Sequence, residues 1–329
     1  QSFTYAIEVR QMPSTCTLPI LSYAAQGAGA GDGRFFERLV LSDTGINNNV
    51  ETFLAETLTA PNLKELTLHK TQMTGSLSNV DFTRFPLLRK LTISHNPSMT
   101  SSTLNPSICA LEHLEHLDLS NAQIDHDGFD WSGCTKLRHV DLRDNPLLRG
   151  DWATLVQHRI EDLWLDNTAM RGTMPNFERL RSIGVNTNEM QGAVRLPASV
   201  SSVAFFGNGA TRAPIWCEGG WGEEACVAPS NNLTSIRLEH SYLGGDVHTA
   251  LGGVSTKLTS LYLRDTEFRG DLGTLLTTFP NLRELTLIGN LFHGDVARSL
   301  RGLETLDIQE LGVVDSDAPS AASHRLMAP

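Results

Sequence analysis

Apolar residues recur along this chain in short blocks in which they alternate with polar ones. LKELTLHKT at 63–71 and LRKLTISHN at 88–96 are followed by LEHLDLSNA at 114–122, LRHVDLRDN at 137–145 and IEDLWLDNT at 160–168. LRSIGVNTN, VSSVAFFGN, LTSIRLEHS, LTSLYLRDT and LRELTLIGN start at 180, 200, 233, 258 and 282, with weaker copies at Phe36 and Leu303. Their common frame is L-x-x-L-x-L-x-x-(N/T), and the starts lie 27, 25, 26, 23, 23, 20, 20, 33, 25, 24 and 21 residues apart. Within each block the alternation predicts a short strand with its leucines on one side. Copies in phase predict parallel pairing of successive strands, about 4.8 Å apart, with the leucines stacked into one core. The fold class expected is an α/β solenoid, mostly short parallel strands and loops.

The ninth position is Asn, Thr or Ser in ten of the twelve copies, Thr71, Asn96, Asn145, Thr168, Thr266 and Asn290 among them. A buried polar side chain there is expected to satisfy the turn backbone in copy after copy, a structural role and not a catalytic one. Six copies continue as TQMTGSL, TAMRGTM, NEMQGAV, SYLGGDV, TEFRGDL and NLFHGDV, with Gly75, Gly172, Gly192, Gly245, Gly270 and Gly294. Glycine permits a sharp bend and a second short strand on the flank. These motifs resemble the leucine-rich repeats of plant receptor ectodomains, and more closely those of trypanosomatid surface antigens, whose repeats carry Thr-x-Val-x-Gly. The resemblance covers residues 36 to 313. It implies a horseshoe of about twelve leucine-rich repeats and a secreted or surface-anchored recognition protein. The paired-cysteine cap of the plant receptors is missing, since only Cys16 precedes the repeats.

The expected organisation is a cap over 1–35, the solenoid over 36–313 with an insert at 209–229, and a flexible tail over 314–329. FTYAIEVRQ reads as a cap strand. GAGAGDG at 27–33 is a connector and lacks the Lys-Ser/Thr of a phosphate loop. A net charge of −11 argues against nucleic acid and against anionic membranes as partners. No apolar run reaches 18 residues, so no direct membrane insertion is expected in this segment. Cys217 and Cys226 bracket a short loop and read as a local disulfide in an oxidising compartment. Asn232 opens the one intact glycosylation sequon. Together these point to an extracellular or cell-surface location. Cys134 stands in a column otherwise filled by Phe and Leu and reads as a small buried hydrophobe; Cys109, one coil earlier, is near enough to pair with it.

No nucleophile, metalloprotease or paired C-x-x-C motif occurs, so neither an enzyme nor a cofactor is expected. Binding is expected on the concave face, through positions five and seven of each copy. Asp118, Asp141, Arg143, Trp164 and Asp166 form one candidate patch; Phe206, Arg237, Tyr262 and Arg264 form another of opposite sign. Exposed aromatics and arginines are the residue types enriched in binding hot spots. His116 and His139, each two residues before an Asp, are weak metal candidates, because the 6.6–6.8 Å between roughly alternate residues strains a shared centre. The partner expected is a protein or glycoprotein. The alternative is a structural component that assembles with other surface proteins through its flank or convex face.

Overall fold

A computed structural model describes residues 5–12, 36–58, 60–155, 159–173, 177–186, 190–191, 196–207, 232–240, 245–251, 254, 256–294 and 305–309. Two compact units emerge, Gln1–Arg171 and Gly172–Pro329. In the first, seven parallel strands follow one another in chain order: β1 (Tyr5–Met12), β2 (Phe36–Thr44), β3 (Glu65–His69), β4 (Lys90–Ser94), β5 (His116–Asp118), β6 (His139–Asp141) and β7 (Asp162–Leu165). In the second, six do the same: β8 (Ser182–Asn186), β9 (Ser202–Phe206), β10 (Ser235–Glu239), β11 (Ser260–Arg264), β12 (Glu284–Ile288) and β13 (Thr305–Gln309). Each unit is a stack of α/β solenoid coils.

The pairing register is the sequence frame itself. Leu66 pairs with Leu91, Leu91 with Leu117, Leu117 with Val140 and Val140 with Leu163. In the second unit Ile236 pairs with Leu261 and Leu261 with Leu285. Positions four and six of these copies are almost fully buried: Leu66, Leu68, Leu91, Ile93, Leu261, Leu263, Leu285 and Leu287 expose 0–1%. Each buried leucine contributes roughly 1.5–3 kcal/mol relative to an exposed one, which is why a slip of one residue is not tolerated.

The ninth position does what its chemistry predicts. Asn96 Oδ1 accepts from the backbone N–H groups of Thr71 and Met73, one coil earlier, while its Nδ2 donates to the carbonyls of Leu68 and Ser94. Asn145 repeats this with Ala122, Ile124 and Leu119, and Asn290 with Thr266, Phe268 and Leu263. Where the earlier copy has threonine, its hydroxyl joins: Thr71 Oγ1 and Thr266 Oγ1 donate to Asn96 and Asn290 at 3.0 and 2.7 Å.

The eighth position carries a regularity of its own. Asp43, Lys70, His95, Asn121, Asp144 and Asn167 in the first unit, and His240, Asp265 and Gly289 in the second, all have φ between +49° and +63°. Left-handed backbone costs most L-residues about 1–2 kcal/mol, and Asn and Asp tolerate it best. The conformation is repaid by the ladder, because the N–H at this position reaches the next strand's seventh carbonyl: Lys70 to Ser94, Asn121 to Arg143, Asp265 to Ile288.

The glycine motifs build a second, shorter sheet on the flank. The strands Asp125–Asp127, Asn145–Asp151 and Thr168–Thr173 are neighbours in it, and Gly245–Asp246, Phe268–Asp271 and Leu291–His293 form the counterpart in the second unit. Gly294 has φ +117°, and a Cβ there would stand 2.5 Å from Asp271 Oδ2. Asp271 needs that space because its Oδ1 caps the helix Leu272–Thr278 through the Thr274 N–H at 2.8 Å. Asp81, Asn105 and Asp130 cap the short helical turns of the first unit in the same way.

Cys109 and Cys134 form a disulfide that ties adjacent coils of the first unit. The residue is buried, as its column requires, but it is a bonded cysteine and not simply a small hydrophobe. FTYAIEVRQ does hold a strand, β1, paired to β2 from Tyr5 to Met12. Cys16, the connector, Asn188, Gly192, Cys217, Cys226, the insert and the tail lie outside the described residues.

Candidate binding face

The strands present four rows of side chains on the side away from the leucines or at its edge, and the rows differ in how far they satisfy themselves. At positions two and three of the first unit, neighbouring strands carry opposite charges that pair. Lys64 meets Glu37 at 2.7 Å, Arg138 meets Glu161 at 3.0 Å, and Glu65 holds both Arg38 at 2.7 Å and Lys90 at 3.3 Å. His116 and His139 continue row three, with ring centres 5.6 Å apart. His139 Nδ1 bonds Asp162 at 2.6 Å, the next residue of the row, and not Asp118 or Asp141. Burial, then Lys90 and His139, hold the His116 imidazole below its ordinary pKa. Among the described residues no group of three or more His, Cys, Asp or Glu is placed to hold a metal. Rows two and three therefore act mostly as strand-to-strand ladders.

Rows five and seven are built differently. Here ion pairs and several hydrogen bonds run along a strand, between residues two apart that share a face, while His69 Nδ1 meets Ser94 Oγ across strands at 2.9 Å. Asp118 Oδ1 accepts from the Ser120 hydroxyl at 2.7 Å and from its N–H at 3.0 Å. Arg143 grips Asp141 with two donors, Nη2 to Oδ2 at 2.6 Å and Nε to Oδ1 at 2.9 Å. Arg237 Nε donates to Glu239 at 2.5 Å. Burial corrects the expectation that row seven is open. Ser94, Ser120 and Glu239 are buried, and so is Asp166 at 9% exposure. Arg143 and Phe206 are half-buried, and Arg264 is exposed.

In the first unit, Asp118, Asp141 and Trp164 stand side by side in row five. The Arg143 guanidinium lies 5.4 Å from the centre of the Trp164 ring. Bonding to Asp141 raises the pKa of Arg143 further. Asp166 lies beside this pair. Burial pushes its carboxyl from 3.8 up to about 7, against the opposing pull of Arg143 and with help from Asp141. Its Oδ1 has no hydrogen-bond partner among the described residues. The five residues thus form one cluster, with Trp164 half-buried and Asp166 recessed.

In the second unit, Arg237 lies between two rings, 5.7 Å from the centre of Phe206 and 4.4 Å from that of Tyr262. Ala204 beneath is buried, and Arg237 itself is exposed. A hydrogen bond with Tyr262 raises the pKa of Arg264. All four sequence-predicted residues of this patch come together. The Asp-x-Arg and Arg-x-Glu spacings on strands were the legible signal for the in-strand pairs Asp141–Arg143 and Arg237–Glu239.

Asn232 is exposed; its Nδ2 donates to the Ala198 carbonyl and its Oδ1 accepts from Lys257, both at 2.9 Å. Among the described residues no helix is long and apolar enough to cross a membrane.

No family model and no curated protein matches the chain. Solved structures do. A plant peptide hormone receptor, RGFR1 in complex with RGF2, is 17% identical over 84% of this chain and 48% of its own, with a TM-score of 0.54. The PEPR1–AtPEP1 structure is 19% identical over 84% and 45%, at 0.53. A Leptospira interrogans leucine-rich-repeat protein, LIC12759, is 19% identical over 85% and 67%, at 0.55. The chain spans about half the length of the first two. The register of its strands, the asparagine ladder behind them and these likenesses make the chain a leucine-rich-repeat protein by fold.

Proposed function

We propose that this chain is a non-enzymatic recognition module that binds a protein or glycoprotein through rows five and seven of its strands, on the concave face that such repeats present. The observation that carries the reading is the Arg237 guanidinium held between Phe206 and Tyr262. An exposed arginine stacked on aromatics is already ordered, so a partner that packs on it loses little conformational freedom. Rows two and three offer less, because their charges already pair across strands. An extracellular or surface location is supported by the Cys109–Cys134 disulfide, since such bonds persist in oxidising compartments. Crosslinking of the native chain in its own surface environment tests the reading. The partner captured by the native chain should be lost with Tyr262→Ala and Trp164→Ala and kept with Leu147→Ser on the flank. Capture that survives both face variants would move the site elsewhere.

A second reading, assembly with other surface proteins through the flank, draws on Leu147 and Leu291. They lie on flank strands, one in each unit, and are 47% and 46% exposed. Sedimentation separates the readings: self-association abolished by Leu147→Ser and Leu291→Ser supports assembly, and a monomer in native and variant chains removes it.

A further inference from the structure

The cluster in the first unit points to the chemistry of what it binds. Three carboxylates, Asp118, Asp141 and Asp166, gather around one guanidinium, Arg143. Arg143 is spent on Asp141, which it grips with two donors. The bonds that hold Asp118 both fall on its Oδ1 and come from neutral groups of Ser120. Asp166 is only 9% exposed, its Oδ1 lacks a partner among the described residues, and the charges it faces are Arg143, Asp141 and Asp144. A buried carboxylate with one oxygen left without a donor is costly, and a second cation brought to the same face removes that cost. Beside the carboxylates stands Trp164, whose ring already holds one guanidinium at 5.4 Å.

We propose that this face takes a cationic side chain of a partner protein, arginine in preference to lysine, over the Asp118, Asp141 and Asp166 carboxylates and against Trp164. A guanidinium suits the place because it is planar, stacks on an aromatic face and bridges two carboxylates with separate donors. An ammonium group supplies the charge but neither the stacking nor the fork. The inference rests on the reading of rows five and seven as the binding face, and it adds the class of group that the first unit receives.

Titration calorimetry of the full chain with an end-blocked tri-arginine peptide, and with tri-lysine of equal charge, tests it. Tri-arginine should bind at least threefold more tightly than tri-lysine. Asp166→Asn and Asp118→Asn should each weaken tri-arginine at least fivefold; both substitutions keep an oxygen acceptor and the side-chain shape, and circular dichroism checks the fold. Glu112→Gln removes the same charge from an exposed site off this face and should change binding less than twofold. Equal losses in all three variants would show attraction to the net charge of −11 and overturn the site. Native affinity in both aspartate variants would overturn it as well. If partner capture is lost with Trp164→Ala while the aspartate variants keep tri-arginine, the face stands and its cationic ligand falls.

Discussion

The Arg237 guanidinium lies 4.4 Å from the centre of the Tyr262 ring, directly across the β10–β11 pair. The same arginine donates to Glu239 on its own strand, so one side chain is fixed in two directions. Preorganised aromatic and arginine pairs of this kind are where truncation costs binding most. Tyr262→Ala should weaken partner binding by about 2 kcal/mol or more while leaving the fold intact. A surface binding assay alongside circular dichroism checks this. A loss of affinity with unchanged secondary structure is the expected outcome; unchanged affinity would place the hot spot elsewhere.

Asn96 is the clearest test of the ladder behind the strands. It bonds the backbone of Thr71, Met73, Leu68 and Ser94 from a fully buried position. Asn96→Ala strands several backbone groups away from water, at about 1–3 kcal/mol for each one left unpaired. Urea denaturation should show a loss of about 3 kcal/mol or more. In a linear array the damage stays near its own coil, so hydrogen exchange should rise first around residues 71–96.

That ladder and the leucine core were legible because each depends on one residue type at one phase. Leu261 and Leu285, placed in the core from the frame alone, are each 1% exposed. The left-handed eighth position was not legible, since Lys70 and His95 stand there as well as Asn and Asp. There the backbone ladder imposes the conformation, not the side chain. Strand adjacency places the residues of each candidate patch side by side, but Asp166 was expected open and is recessed. Alternation tells which side a residue faces; it does not tell how deeply the surrounding side chains bury it. Cys134 shows the same limit, because its column specifies burial and size but not a bond to Cys109.

The Cys109–Cys134 bond closes a segment of 25 residues between adjacent coils. In the chain-entropy model such a closure contributes about 3–4 kcal/mol. Cys134→Ala should lower the thermal midpoint of the native chain. Addition of reductant should lower the midpoint of the native chain by more than that of the variant. Equal response of the two chains to reductant would show that the bond does not stabilise the first unit.

Leu261→Ala probes the core of the second unit. Its side chain is buried between Ile236 and Leu285 on the flanking strands. Lost contacts and the cavity should together cost roughly 2–5 kcal/mol in denaturant unfolding. A cost below about 0.5 kcal/mol is incompatible with the observed register.

Asp166 makes stability depend on pH in a direction opposite to most carboxylates. Burial raises its pKa from 3.8 to about 7 in the folded chain. Between those two values the folded chain holds a proton that the unfolded chain has released, so stability falls as pH rises across that window. Below 3.8 both states are protonated and nothing is lost; above about 7 the full cost of a buried charge is present. A shift of that size corresponds to about 4 kcal/mol at most, and Arg143 already offsets part of the desolvation. Asp166→Asn removes the charge and keeps the shape. It should therefore raise the unfolding midpoint at pH 8 and change it little at pH 4. Paired thermal melts of native and variant chains at the two pH values measure the difference directly. A gain at pH 8 that a bound tri-arginine peptide restores to the native chain would tie the destabilising charge to the cation site. A variant no more stable than the native chain at pH 8 would show that Asp166 is charged at little cost, and the case for an uncompensated carboxylate would fail.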